Sequence, residues 1–202
     1  ALVALCGCYP QVSPEAARQL EADLIGGSGD RRGFLDLLEQ LARTREKAVA
    51  LDDPFRRRVF EALPAGGLEG RTRAMLKVED GCTNFCAYCI IPYARGAVRS
   101  LPVEQAAAQA RDLAEAGYRE LVLTGIETGA YNRMPLGELA ARVAAVPGVE
   151  RIRLGSLDPA CVTAALAARL SALPNFMPHF HLSLQSGSDS VLRRMRRPYD
   201  SA

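Results

Sequence analysis

The chain has 202 residues, enough for one generous domain or two small ones, and with 49% hydrophobic but only 6% aromatic residues its core must be mainly Leu, Ala and Val. Lys+Arg number 25 against 23 Asp+Glu, a balance too near neutral to argue for a nucleic-acid partner from net charge. No apolar run approaches the roughly 20 residues needed to span a bilayer, so no membrane role is expected; the strand-like start at Ala1, without a secretory signal, reads as a truncation.

Residues 1–52 alternate between short strand-like and helical stretches. Residues 2–5 read as a strand, and Ser13-Pro14-Glu15 opens a helix with Ser as N-cap and Pro in the first turn. A second strand at 23–25 runs into Gly26-Gly27-Ser28-Gly29, and a longer helix follows with Phe34, Leu37, Leu38 and Leu41 at helical spacing. Residues 53–72 carry two prolines, Gly66-Gly67, Gly70 and the basic run Arg56-Arg57-Arg58, and read as a linker.

From residue 73 onward the pattern becomes regular. A strand at 75–78 leads into a cysteine-rich loop, and a helix at 102–116 places Val103, Ala106, Ala107, Ala110, Leu113 and Ala114 on one face before Gly117 ends it. Then come a strand at 121–124, a helix at 136–146, a strand at 151–154, a helix at 161–173, a strand at 179–185 and a last helix near Ser188 with Leu192 and Met195. Four β–loop–α units predict parallel strands with right-handed crossovers, and four do not close a barrel, so the fourth strand keeps an open edge.

The six cysteines fall as a pair (Cys6, Cys8), a triplet (Cys82, Cys86, Cys89) and a singlet (Cys161), which does not suggest a disulfide framework. In a reducing cytosol, the expected compartment, clustered cysteines bind metal or carry redox chemistry. Spacings of four and three put the triplet's thiolates in one short loop, one fewer than the four that close a structural zinc or iron–sulfur site. An iron–sulfur cube held by three thiolates keeps one iron open for another ligand. The alternative is a zinc knuckle, with Cys161, His179 or His181 as the fourth ligand. The triplet follows the first strand of the βα series, the carboxyl-end rim where such folds build their active sites.

At this point a resemblance carries further. The run Cys82-Thr83-Asn84-Phe85-Cys86-Ala87-Tyr88-Cys89 resembles the signature of radical S-adenosylmethionine enzymes, with an aromatic residue before the last cysteine. The wider string through Ile90-Ile91-Pro92-Tyr93-Ala94-Arg95-Gly96 is similar to the methylthiotransferase branch. Residues 179–189 with Leu192-Arg193-Arg194-Met195 resemble the enzymes that act on N6-threonylcarbamoyladenosine in tRNA. Thr124-Gly125-Ile126, Gly129-Ala130-Tyr131 and Ser156-Leu157-Asp158-Pro159 point the same way. Sister branches acting on isopentenyladenosine in tRNA or on a ribosomal protein are the alternatives within the family, and a non-catalytic zinc or iron–sulfur module is the alternative outside it.

The resemblance implies that Cys82, Cys86 and Cys89 hold a [4Fe–4S] cluster whose open iron chelates S-adenosylmethionine. Reductive cleavage then yields a 5′-deoxyadenosyl radical that abstracts hydrogen from the adenine base, while the protein binds, orients and excludes water. It implies a second [4Fe–4S] cluster, for which Gly7-Cys8-Tyr9-Pro10-Gln11 offers Cys8 as ligand with two partners upstream of Ala1. Cys6 reads as a small hydrophobe at a strand end, and Cys161 as a packed residue opening a helix. An electron-donor protein and a sulfur donor of unknown identity are further implied partners. The implied fold is α/β: a partial parallel (βα) barrel of the radical S-adenosylmethionine type (73–202), preceded by the tail of a flavodoxin-like auxiliary-cluster domain (1–52) and a linker (53–72). A chain with these parts alone is expected not to turn over tRNA.

Side-chain alternation adds a separate expectation. In 179–185, Phe180, Leu182 and Leu184 should face surrounding helices, leaving His181, Ser183 and Gln185 inside the barrel. Lys77, Glu79 and Arg153 fall on comparable polar phases. Ser183 and Gln185 are candidate contacts to S-adenosylmethionine or substrate, Arg153 a candidate carboxylate partner, and Tyr88 a candidate to lie against a flat cofactor. The spacing of His179 and His181 lacks a third zinc ligand. The runs Arg193-Arg194-Met195-Arg196-Arg197 and Arg56-Arg57-Arg58 are candidates for tRNA phosphates, or solvated faces.

Overall fold

The structure is a computed structural model that describes residues 1–66 and 70–201, so residues 67–69 of the expected linker lie outside the described residues. Its first layer is a parallel sheet of β1 (Ala4–Leu5), β2 (Leu24–Gly26) and β3 (Ala48–Ala50), in that order. Helices α1 (Cys8–Val12) and α2 (Pro14–Arg18) make the first crossover and α3 (Arg31–Thr44) the second. Helix α1 is not expected from the residues alone, because Pro10 disguises it. That proline sits in the first turn, where its missing N–H has no partner to lose. Ser13 precedes α2 as expected, yet its side chain makes no capping bond, so Pro14 alone marks the start.

The second layer runs β4 (Arg73–Lys77), β5 (Glu79–Asp80), α4 (Ile91–Arg95), β6 (Arg99–Ser100), α5 (Val103–Glu115), β7 (Glu120–Thr124), α6 (Leu136–Ala144) and β8 (Arg151–Leu154). It ends with β9 (Ser156–Leu157), α7 (Ala164–Ser171), β10 (His181–Leu182) and α8 (Asp189–Met195). Strands β4, β7 and β8 pair in parallel, with Arg73 opposite Glu120 and Glu120 opposite Arg151. Beyond Gly155 the chain continues as β9, which pairs in parallel with β10. The mixed α/β layer with parallel sheets therefore agrees with the sequence pattern.

Alternation builds the core. Ala74, Leu76 and Val78, Leu121 and Leu123, and Ile152, Leu154 and Leu157 are buried, in one cluster with Ala106, Ala110 and Leu113 of α5 and Leu139, Ala140 and Val143 of α6. Each fully buried Leu contributes about 1.5–3 kcal/mol. Two expectations change. The helix expected over 161–173 begins only at Ala164, with the Thr163 hydroxyl accepting from Leu166 N, and Cys161 ends a separate 3-10 turn, Pro159–Cys161. The strand expected over 179–185 pairs at His181 and Leu182 only, and beyond it Gln185 turns the chain at φ +61°. Phe180 still packs on Phe176 at 5.8 Å, but Leu182 and Leu184 are 43% and 52% exposed instead of covered by helices.

The segment read as a linker is fastened where it is described. Pro54–Arg56 forms a 3-10 turn, and Phe60 enters the core. Arg31 of α3 pairs with Glu61 at 2.6 Å, and Gln109 of α5 donates to the Leu63 carbonyl at 2.8 Å.

Candidate metal centre

Strands β5 and β6 form a short antiparallel ladder, Glu79 opposite Ser100 and Asp80 opposite Arg99, and the cysteine loop and α4 lie between them. Gly81 sits at φ +95°, and a Cβ there would lie 2.2 Å from the Ala97 carbonyl oxygen. Cys82 N donates to the Gly96 carbonyl at 3.1 Å, closing the loop from within. Gly96, at φ +75°, lets Pro54 O approach to 2.0 Å from where a Cβ would be, so the linker lies directly against the end of α4. Only glycine meets both the positive φ and the close approach.

The triplet's thiols are free, with Cys86 buried and Cys82 and Cys89 half-buried. Burial pushes the Cys82 thiol up; a backbone N–H of Asn84 opposes this, and the neighbouring Glu127, Cys86 and Cys89 charges add to it. Ligation needs the thiolate, so a cation at this loop would favour it. Helix α8 reaches the loop from the far end of the chain: Ala87 N donates to the Met195 carbonyl at 3.0 Å, and Arg197 Nη1 lies 3.1 Å from Cys86 Sγ. Among the described residues, no group of three or more His, Cys, Asp and Glu side chains converges as around a single metal ion.

Charge around the loop is heavily organised. Asp80 takes Lys77 at 2.9 Å, Arg95 at 3.1 Å and Arg99 at 3.3 Å. Burial would raise this carboxyl, but the three cations hold it below its usual range. Glu79 is fully buried; one oxygen accepts from Ile126 N and Glu127 N at 2.8 Å each, and Oε1 has no partner among the described residues. Burial pushes its pKa from 4.5 up to about 8, against those backbone bonds. The folded chain thus keeps a proton that the unfolded chain has released, and stability falls as pH rises from 4.5 to about 8. Glu79→Gln should remove this slope, gaining on the parent by on the order of 3 kcal/mol across that window in pH-resolved urea denaturation. Parallel pH profiles for the two proteins would refute it.

The predicted site residues separate into two groups. Tyr88 is 54% exposed on the cysteine loop. Ser183 lies beyond β10, its carbonyl accepting from Arg197 Nη2 at 3.3 Å and from the Tyr199 hydroxyl at 2.7 Å, and Gln185 is exposed beside it. Those three share the carboxyl-end side with the triplet. Arg153 is elsewhere: its Nε donates to Glu120 Oε1 at 2.7 Å, in a cluster with Arg73 and Arg151 at the amino ends of β4, β7 and β8. A ligand carboxylate at Arg153 would have to compete with Glu120. Cys8 opens α1, which packs on α4, and its thiol is within electrostatic reach of Arg95, itself bonded to Asp80.

Sequence reasoning missed Glu127, Asp158 and Arg197 as one constellation. Glu127 Oε1 accepts from Asp158 N at 3.2 Å, and Asp158 Oδ2 takes Arg197 at 2.7 Å. The four-arginine run is expected to meet tRNA phosphates or to form a solvated face, yet only Arg193, Arg194 and Arg196 of it are exposed, while the Arg197 side chain is 6% exposed. Burial would lower the Arg197 pKa, but its bonds to Cys86 and Tyr199 and the Asp158 charge carry it above the ordinary value. The one sequence signal was Asp158-Pro159 directly after a strand, on the rim that also bears the triplet.

Parallel strands whose carboxyl ends present a three-thiol loop define a class of cofactor-binding α/β domain. A profile of the Radical SAM superfamily matches residues 76–202, and the chain belongs to that superfamily. It is 38% identical, over 98% of its length, to the threonylcarbamoyladenosine tRNA methylthiotransferase MtaB of Bacillus subtilis, of which it covers 45%. The protein of the same name from Thermotoga maritima is 37% identical over 98% of this chain and 46% of its own length. The tRNA-2-methylthio-N(6)-dimethylallyladenosine synthase of Anaeromyxobacter dehalogenans is 37% identical over the whole chain and 44% of its own length. The chain thus spans a little under half the length of these curated relatives. No helix among the described residues is long and apolar enough to cross a membrane.

Proposed function

We propose that this chain is the radical-generating part of a tRNA methylthiotransferase acting on N6-threonylcarbamoyladenosine next to the anticodon. The observation that carries the reading is the closed, three-thiol loop at the carboxyl end of β4, in a chain matched along its length by relatives named for that activity. The donor set fits a [4Fe–4S] cluster: three free thiols in one loop, with a buried cation beside one of them. Cys82, Cys86 and Cys89 would hold it. Bound there, the cluster supplies one-electron reduction of the sulfonium of S-adenosylmethionine.

The chain's own residues bind, orient and shield. Glu79 Oε1 and Thr128 Oγ1 are buried without partners among the described residues, beside the Gly125–Glu127 turn, and a polar, ammonium-bearing ligand such as S-adenosylmethionine would complement them. Tyr88, Ser183 and Gln185 remain the proposed contacts on the same rim. Cys8 is proposed to serve a second cluster in the full-length protein, coupled through Arg95 to Asp80. In this reading β4, β7, β8 with β9, and β10 begin a (βα) barrel (73–202), and β1–β3 are the tail of a flavodoxin-like domain (1–52), joined by the 53–72 segment. An RNA partner is supported by exposed Phe55, Tyr93 and Phe85 in edge contact at 6.1 and 5.6 Å, beside exposed Arg56 and Arg58. Exposed rings stack unpaired bases while flanking arginines take phosphates. An electron-donor protein, an unidentified sulfur donor and a cytoplasmic setting complete the proposal.

Anaerobic reconstitution should give about four iron and four sulfide per chain, and a visible spectrum that changes on adding S-adenosylmethionine. Tetrahedral zinc without sulfide would end the reading. The full-length protein, given hypomodified tRNA, should add a methylthio group to N6-threonylcarbamoyladenosine by nucleoside mass spectrometry. Addition to dimethylallyladenosine instead would assign the sister branch, whose relative also matches the whole chain.

A further inference from the structure

Resting on the cluster reading above, we propose that Arg197 is a positioning residue for that centre, its guanidinium donating to the Cys86 sulfur and stabilising the reduced form of the iron–sulfur cluster that Cys86 holds. The contact is built. Nη1 lies 3.1 Å from Cys86 Sγ and Nη2 lies 2.7 Å from Asp158 Oδ2, the two ion-pair side chains being 6% and 4% exposed. Nε donates to the Tyr199 hydroxyl at 3.1 Å, Nη2 also reaches the Ser183 carbonyl at 3.3 Å, and the guanidinium carbon sits 4.9 Å from the Tyr199 ring centre. Tyr199 is fixed in turn, its one hydroxyl proton shared between the Ser183 and Leu184 carbonyls at 2.7 and 2.8 Å. Asp158 Oδ1 is taken by Ala160 N at 3.0 Å, which leaves Oδ2 for the arginine.

Burying such a pair adds little net stability compared with apolar packing, so stability alone does not account for it. Its geometry is directional: the cation reaches the sulfur, while Asp158 binds another nitrogen of the same guanidinium. When a thiolate-held cluster accepts one electron, negative charge grows on its sulfurs, and a charge-assisted N–H donor favours that state. The electron comes from an external one-electron reductant. Arginine keeps its proton throughout, and no proton or covalent bond changes hands.

The test is an EPR-monitored potentiometric titration with dithionite on reconstituted protein. Arg197→Met should move the cluster midpoint to a more negative potential. Asp158→Asn keeps the cap on Ala160 but deletes the counter-charge, and should move it to a more positive one. Arg197→Lys, whose one nitrogen cannot span both partners, should fall between Arg197→Met and the parent. Unchanged midpoints, or shifts of Arg197→Met and Asp158→Asn in the same direction as a merely structural role would give, overturn the proposal. Should Arg197→Met fail to hold a cluster, the parent protein with 15N-labelled arginine decides: pulsed EPR of the reduced cluster should show a weak 15N coupling, and its absence overturns the proposal. A parent protein that takes up no iron and sulfide refutes the cluster reading and this proposal together. A cluster whose midpoint ignores Arg197 refutes this proposal alone.

Discussion

Replacing Gly81 by alanine is expected to abolish iron and sulfide uptake while most of the secondary structure survives. The added methyl group would meet the Ala97 carbonyl oxygen at 2.2 Å, and the φ of +95° is one that an L side chain resists. Neither obstacle can be relieved by a rotamer, because the collision is with backbone. The β5–β6 ladder must then open, and with it the bond from Cys82 N to the Gly96 carbonyl. Strain of this kind costs about 1–3 kcal/mol for the backbone conformation alone. The core strands β4, β7 and β8 do not pass through this turn, so the far-ultraviolet circular dichroism should change little. Cluster content measured after reconstitution checks the first part, and near-normal loading of Gly81→Ala would show that the loop re-forms around the substitution.

The second large effect is expected at Arg57. Its side chain is 11% exposed and bonds Asp52 at 2.6 Å, the Ser28 hydroxyl at 2.8 Å and Gln11 Oε1 at 2.8 Å. The Ser28 hydroxyl donates onward to the Ala94 carbonyl of α4, and Gln11 also accepts from Ser28 N at 3.1 Å. One guanidinium therefore joins the first layer, the 53–66 segment and the helix that leaves the cysteine loop. Arg57→Met leaves Ser28 and Gln11 with lost partners, while half-exposed Asp52 recovers water, so a cost of about 2 kcal/mol is expected. The damage should concentrate at the junction. Limited proteolysis should cut within 45–66 much faster than in the parent, with cluster loading at 82–89 retained. Equal proteolysis rates would mean that the latch is held by other contacts.

These two predictions also mark what could be read from the chain directly. The triplet, the β–loop–α rhythm and the core faces of α5 and α6 were legible because each is a local pattern, set by spacing along a few turns. Arg57 and Arg197 were not, since both belong to runs of arginine that look alike in sequence. Each also bonds a partner far along the chain, Ser28 at 29 positions for Arg57 and Cys86 at 111 for Arg197, and no periodicity encodes such pairings. Arg153 shows the converse. Its strand phase was read, but not the layer at which Glu120 holds it, because alternation gives the face of a strand and not the height along it. The left-handed turn at Gln185, three residues past β10, carries no glycine to announce it. Cys161 was placed at a helix start because Asp158-Pro159 and Thr163 offer two competing N-terminal signals, and the second one wins.

The ladder from Glu79–Asp80 to Arg99–Ser100 has a further consequence, for how tightly the thiols hold what they bind. A free peptide carrying the same three cysteines would have to gather its ends and fix its backbone at the moment of ligation, losing conformational freedom each time. Here the ends of the loop are already joined, at the ladder and at the contact from Cys82 to Gly96, before any ligand arrives. The entropy of closure is charged to folding, not to binding. A centre bound by these thiols would thus be retained at concentrations where the excised loop would release it.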